Sequence, residues 1–487
     1  MKQMLVNRTP KETFISLIEN GQLVEVFIEP AEDQSIVGSV YAGVVENVLP
    51  GMQAAFVDIG LGKNAYLYIE DILSKEALAK MNGIEKKASI NDYIKKGQPL
   101  LVQIKKAPID AKGARVTLDI TLPGRYLVVM PHNDYIGISK RISDPEEKER
   151  LKSIAEGLVD AGKGMVIRTV AEGIEAEKLA SDYEKLSHVW DEILKDYEAM
   201  KGKKGLVRGD VEFATRVFRD VIKPDIERIT VLHEETYVQL KDYVEKFIPD
   251  VSGKIFYRAP GDYHELDVIE CLKRALKKKV WLDNGGYLII EHVEALSIID
   301  VNTGKFTGKK NLEETAYQTN LLAAKEVARQ IRLRNMGGII IVDFIDMKLD
   351  AHKYELVHLL EEETSKDSMK VQVMGITKLG LVEMTRKKAK RSLSTLLEKT
   401  CPLCQGKGTV LSEESVLRLL AYRVVEVADT LQGSQLFIKL HPQVYTYVMK
   451  HESDYFSWVE RHYNKKIVLE KDATLLYDAF VVEGRRE

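Results

Sequence analysis

Three observations predict a multidomain α/β (α+β) protein from this sequence. Its 487 residues exceed what one hydrophobic core organises, so about three or four domains are expected. Short strand-like runs separated by turn residues fill the first 125 positions. From about residue 280 onward, apolar strand-like runs alternate with a long amphipathic helical pattern.

Taken in order, Phe14–Ile18 and Leu23–Ile28 flank Glu19-Asn20-Gly21-Gln22, and Asn-Gly is the strongest short hairpin signal. The runs Ser39–Val48, Gln53–Ile59, Asn64–Ile69, Leu100–Lys106 and Arg115–Ile120 suggest a small β-barrel. Helical charge patterns follow at Asp144–Leu158 and Glu175–Tyr197, around a strand-like Met165–Val170, with a loop at Lys201–Gly205. Tyr287–Glu291, Leu296–Val301 and Gly338–Phe344 read as strands, and Leu312–Arg334 as a helix. A short cysteine loop at Cys401–Gly408 precedes a small α/β segment over 412–487. There is no internal repeat and no low-complexity tail.

Hydrophobic residues make up 45% and charged residues 30%, an ordinary soluble composition. The formal net charge is −3, from 71 basic and 74 acidic residues, so overall charge announces no nucleic-acid binder. An RNA path would need local clusters: Lys105-Lys106 with Lys112 and Arg115, Lys277-Lys278-Lys279, or Arg386–Arg391. Taken alone, each reads first as a solvated face. Three cysteines in so long a chain exclude a disulfide framework and fit a reducing compartment. No secretory signal opens the sequence, and no apolar run reaches the roughly 18 residues of a membrane span. A cytoplasmic location is expected.

The chemistry concentrates in two strands. Ser297–Gly304 runs an apolar strand into Asp300, with Asn302 two residues on and therefore on the same face. Gly337–Asp346 repeats the design, with Asp343 ending a buried run and Asp346 expected on the opposite face. The intervening helix opens on Asn311 with Glu314 three residues later, a capping-box pattern. Two strands joined by one crossover helix are expected to lie parallel and to bring Asp300 and Asp343 together at the carboxyl edge. A hard divalent ion resolves the repulsion of two such carboxylates, and magnesium bridges readily to phosphate. Helix capping or pairing with lysine remains the plainer alternative on spacing alone.

At these residues the sequence resembles a known family. Ile299–Gly304, Leu312–Ala316, Asn320-Leu321, Ala328–Arg334 and Gly337–Met347 are similar to the catalytic signature of the ribonuclease E/G family. The resemblance runs from Leu5-Val6-Asn7 to about Thr409. It implies a magnesium-dependent endoribonuclease that cuts single-stranded, AU-rich RNA to 5′-monophosphate and 3′-hydroxyl ends, in rRNA processing and mRNA decay. Asp300 and Asp343 would hold magnesium, and Asn302 would contact the scissile region, making these three the catalytic set. No histidine or lysine is placed as a dedicated base.

The resemblance also implies a domain plan. Residues 1–35 and 215–278 would form an RNase H-like domain, with an S1-type OB-fold RNA-binding domain inserted at 36–125. A 5′-sensor domain would span 126–214 and a DNase I-like catalytic domain 279–399. A zinc-link at 400–411 and a small C-terminal α/β domain at 412–487 complete it. In the barrel, Phe56 and Tyr66 match stacking aromatics, and Lys106 and Lys112 would contact phosphates. Arg168 and Thr169 match a 5′-monophosphate sensor, with Gly124, Val128, Arg141 and Lys370 at accessory positions. Lys370 keeps the charge of an arginine but not its bidentate fork.

Cys401-Pro402-Leu403-Cys404 has zinc-knuckle spacing but supplies only half of a tetrahedral site. The resemblance implies one zinc shared between two subunits, hence a homodimer or a homotetramer. With no Pro/Arg-rich extension up to Glu487, the chain resembles the short, G-type members. Two other readings stay open: a non-catalytic single-stranded RNA-binding protein of the same architecture, and a zinc-linked structural scaffold.

Overall fold

The structure, a computed structural model, describes residues 1–31, 36–72, 89–108, 112–262, 267–293, 295–304, 312–388, 391–430, 433–451 and 453–485. Asn311, Ala389 and Lys390, on which the capping box and part of the basic run were read, lie outside them. The chain divides into two compact units, Met1–Leu393 and Ser394–Glu487.

The first unit opens with β1 (Lys2–Arg8), β2 (Glu12–Glu19) and β3 (Gln22–Pro30). Asn20 and Gly21 both take positive φ, 51° and 79°, as a type I′ hairpin turn requires. On the other edge of β1 lie β14 (Arg228–Val231) and then β15 (Ile255–Tyr257), both added in parallel. Ile15, Phe218, Ile229 and Val244 are among the residues filling the core beneath this sheet.

Inserted between β3 and β14 are the next two sheets. Strands β4 (Val40–Leu49), β5 (Ala54–Asp58), β6 (Ala65–Tyr68), β7 (Pro99–Lys106) and β8 (Arg115–Thr117) close into a five-stranded barrel through the β4–β7 pairing. A sixth strand, β13 (Gly205–Arg208), returns from far along the chain to pair with β4, so the expected loop at Lys201–Gly205 ends in a strand. The third sheet holds β9 (Leu122–Pro123), β10 (Leu127–Met130), β11 (Ile136–Ile138) and β12 (Gly164–Ile167), packed on the helices Pro145–Leu158 and Ala176–Ala199. The expected strand Met165–Val170 stops at Ile167, because Thr169–Ala171 turns into one 3-10 turn.

The fourth sheet has the order β16 (Lys279–Trp281), β17 (Tyr287–His292), β18 (Leu296–Asn302), β19 (Gly338–Asp343), β21 (Val382–Arg386), β20 (Val371–Ile376). One face is apolar: Leu288, Ile290, Ile299, Val301, Ile340, Val342, Val382 and Met384 pack on the helices Leu312–Leu333 and Asp350–Ser365. The long helix buries Ala316, Asn320, Ala323, Ala324 and Val327 at three- and four-residue spacing, so mostly small side chains bring it close to the sheet. The second unit carries β22 (Gln435–Leu440) between β23 (Lys466–Lys471) and β24 (Phe480–Arg485), with its own core around Val424, Ile438 and Val448.

Candidate active site

Strands β18 and β19 run parallel, as expected for a crossover connection, and their register sets Asp300 directly opposite Asp343. One strand spacing, ~4.8 Å, separates their backbones. Residues i and i+2 share a face, and Asn302 accordingly donates from Nδ2 to Asp300 Oδ2 at 2.7 Å. Among the described residues neither carboxylate has a lysine or arginine partner. Side-by-side carboxylates without a cation repel, and magnesium is ordinarily held by one or two such groups plus waters and substrate phosphates. The pair fits that ion. Among the described residues no group of three or more His, Cys, Asp or Glu side chains forms a fuller cage.

Asp346 follows a different course. The strand ends at Asp343, so period-two alternation no longer governs it, and it stands exposed in the loop that leads to the Asp350–Ser365 helix. That loop is pinned from the crossover helix by residues the motif contains but the sequence reading gave no role. Asn320, fully buried, donates to Ile345 O at 2.8 Å and accepts from Ile345 N at 3.0 Å, in place of a strand partner. Glu313 accepts from Lys348 N at 2.9 Å and Leu349 N at 3.2 Å, with His352 Nδ1 at 3.0 Å. The signal was present: Glu313 and Asn320 are seven apart, two helical turns along one face.

On the barrel, Phe56 and Tyr66 are cross-strand partners with ring centroids 5.0 Å apart. Both rings are half-buried beside a cavity of about 560 Å³, also lined by Glu46, Lys63, Asn64 and Lys96. Lys63 and Lys96 were not foreseen, since nothing in the sequence places them beside the aromatics. The basic cluster sorts itself. Lys105 and Arg115 bind the buried Asp71 carboxylate at 2.7 and 2.6 Å, whereas Lys106 and Lys112 stand exposed.

The expected sensor residues come together by a chain of contacts. Arg168 Nη1 donates to Gly124 O at 2.7 Å. Gly124 has no room for a side chain: a Cβ there would lie 2.6 Å from Asp182 Oδ2, which accepts from Tyr126 N at 2.8 Å. Burial pushes the Asp182 carboxyl up, against the backbone N–H groups that favour its charge. Thr169 Oγ1 meets Ser139 Oγ at 2.7 Å, and Arg141 N donates to the same Ser139 oxygen. Arg141 Nη1 reaches Ser368 O at 2.8 Å, two residues from Lys370, whose carbonyl accepts from Lys387 N. Val128 sits opposite Pro123 and Val166. Arg168 also pairs with Asp220 at 2.7 Å, a partner no spacing foretold. Burial would raise the Asp220 carboxyl, but Arg219 and Arg168 outweigh it and hold it below the usual range.

The ribonuclease E/G family model matches residues 121–389, spanning the sensor contacts and both carboxylate strands. The chain belongs to the ribonuclease E/G family. It is 41% identical to ribonuclease G of Escherichia coli K12 over 472 residues, 96% of each chain. It is 41% identical to ribonuclease G of Haemophilus influenzae, covering 93% of this chain and 92% of that one. It is 36% identical to ribonuclease E of a Nostoc species, covering 82% of this chain and 59% of that one. A second model, the family's thioredoxin-like domain, matches residues 400–485.

In this family member that second match begins at the cysteine loop. Cys401 is exposed and Cys404 half-buried. Backbone N–H groups of Cys404 and Leu403, with the Cys404 side chain, bond the Cys401 sulfur and hold its thiol below the ordinary value. Gln405 and Gly406 take positive φ, 48° and 88°, which turns the chain directly after Cys404, where Gln405 N donates to Cys401 O at 2.8 Å. Such N–H groups favour a thiolate, the form that binds zinc. Two sulfurs make half of a zinc site. Cys271, by contrast, is pushed up by burial. Among the described residues no helix is long and apolar enough to cross a membrane.

Proposed function

We propose that this endoribonuclease of the ribonuclease E/G family cuts single-stranded, AU-rich RNA with magnesium, leaving 5′-monophosphate and 3′-hydroxyl ends. The observation that carries the reading is the register of two carboxylates, Asp300 beside Asp343, that have no lysine or arginine partner among the described residues. Asp300 and Asp343 hold the ion, and Asn302 fixes the Asp300 rotamer with one amide hydrogen while the other is left for a phosphate oxygen. A magnesium ion bound there supplies positive charge against the phosphate in the transition state. Asn320 and Glu313 keep the chain beyond Asp343 in place while RNA binds.

Phe56 and Tyr66 stack unpaired bases, and Lys106 and Lys112 neutralise phosphates along the same strand. We assign the first sheet to an RNase H-like domain, the barrel to an S1-type OB-fold, the third sheet to the 5′ sensor and the fourth to a DNase I-like catalytic domain. Arg168 and Thr169, framed by Gly124, Val128, Arg141 and Lys370, recognise a 5′-monophosphate. The work belongs to rRNA processing and mRNA decay in the cytoplasm.

The test compares 5′-monophosphate and 5′-triphosphate forms of one oligonucleotide in magnesium. The monophosphate should be cut at least about tenfold faster, the worth of one charge-assisted hydrogen bond. Equal rates would remove the sensor. No cleavage of either form by protein that still binds them would leave a non-catalytic RNA-binding protein.

Cys401 and Cys404 from two subunits complete one tetrahedral zinc, giving a homodimer or homotetramer. Purified protein should carry one zinc for every two chains, and a strong chelator should halve the oligomer. A zinc-free dimer would contradict the shared site.

A further inference from the structure

The open face of the fourth sheet carries more than the carboxylates. Register places Trp281 opposite Tyr287, and Tyr287 opposite Asn302. In the adjacent row, Lys279, Ile289, Asp300 and Asp343 stand opposite one another in turn. Residues directly opposite share a face, so both rows project from the side that bears the candidate active site. Trp281 stands two strand spacings, ~10 Å, from Asn302.

These side chains form a cluster. The Trp281 and Tyr287 rings meet edge to face, 5.4 Å between centroids. Lys279 Nζ lies 4.0 Å from the Trp281 centroid and 3.6 Å from that of Tyr287. Among the described residues Lys279 has no carboxylate partner. Trp281 is 61% exposed, while its neighbour Leu282, on the other face, is buried. Leu282 therefore anchors the strand without the indole. A large aromatic left open beside an ammonium that no described carboxylate pairs is poorly explained as packing.

We infer that Trp281, Tyr287 and Lys279 form a stacking subsite for one unpaired base of the RNA, close to the scissile phosphate. The inference rests on the proposed nuclease reading for where that phosphate lies. Every base offers a π-face to the indole, and the ammonium meets the neighbouring phosphate. The occupant is RNA rather than a peptide because the row runs unbroken from Trp281 through Tyr287 to Asn302. This subsite is separate from the barrel aromatics, so the protein grips its substrate at two stacking points.

The test uses single-stranded RNA with 2-aminopurine at successive positions around the cleavage site, bound to full-length protein without added magnesium. Wild type should quench one position that Trp281→Ala leaves bright, with Trp281→Phe restoring most of the quenching. With magnesium, Trp281→Ala should raise KM about tenfold with kcat unchanged. An abasic residue at the quenched position should erase the difference between variant and wild type. A uniform response along the RNA, or an unchanged KM, would overturn the subsite. Failure of the nuclease reading would show separately, as wild type that cuts nothing while the fluorescence still decides the platform.

Discussion

Asp343→Asn should reduce RNA cleavage about a thousandfold or more, several kcal/mol of transition-state stabilisation, while single-stranded RNA binding is retained. The substitution keeps the size of the side chain and removes its charge. Asp343 is exposed and makes no ion pair among the described residues, so no such pair is lost with its charge. Its neighbour across the strands is Asp300, and like charges placed opposite each other are unfavourable. Thermal stability without magnesium should therefore be equal or slightly higher in the variant. Loss of activity with a marked loss of stability would point to a structural role for Asp343. Retained turnover would remove the metal site.

Arg386→Leu should destabilise the first unit by about 3–5 kcal/mol. Its guanidinium and the Asp367 carboxylate have side-chain exposures of 1% and 0%. Nε donates to Asp367 Oδ2 at 2.7 Å, and Nη1 reaches Asn335 Oδ1 at 2.8 Å and Met336 O at 3.0 Å. Removing the arginine leaves a buried, unpaired carboxylate, and lysine lacks the fork that makes all these bonds at once. Thermal unfolding should therefore show a large drop for Arg386→Leu, little rescue by Arg386→Lys, and substantial recovery in Arg386→Leu with Asp367→Leu. Recovery is expected because two apolar groups leave no charge stranded. The loop from Asp367 also carries Ser368, the acceptor for Arg141, so discrimination of the RNA 5′ end should weaken alongside. A double variant no more stable than Arg386→Leu would contradict this account.

Local signals read directly into structure. The Asn20-Gly21 turn, the apolar run into Asp300 and the crossover helix each rest on residues close in sequence. What stayed hidden depends on distant partners. Arg386 looks like the start of a solvated basic run, and only the return of Asp367 from another loop makes it a core residue. Gly124 reads in the sequence only as an accessory position of the sensor, whereas its lack of a side chain admits Asp182 from a helix more than fifty residues on. Strand β13 carries no periodic mark that would assign Gly205–Arg208 to a barrel begun at Val40. The row from Trp281 to Asn302 is likewise invisible until register is known, because period-two alternation orders residues within a strand and says nothing across strands.

The measurement that bears most directly on the central claim is magnesium-dependent cleavage of a 5′-monophosphorylated, AU-rich single-stranded RNA by wild type and by Asp300→Asn. The account predicts internal cleavage by wild type that rises with magnesium, and none by the variant at equal RNA binding. Equal cleavage by both proteins would contradict it, and would place the catalytic metal away from the Asp300–Asp343 pair.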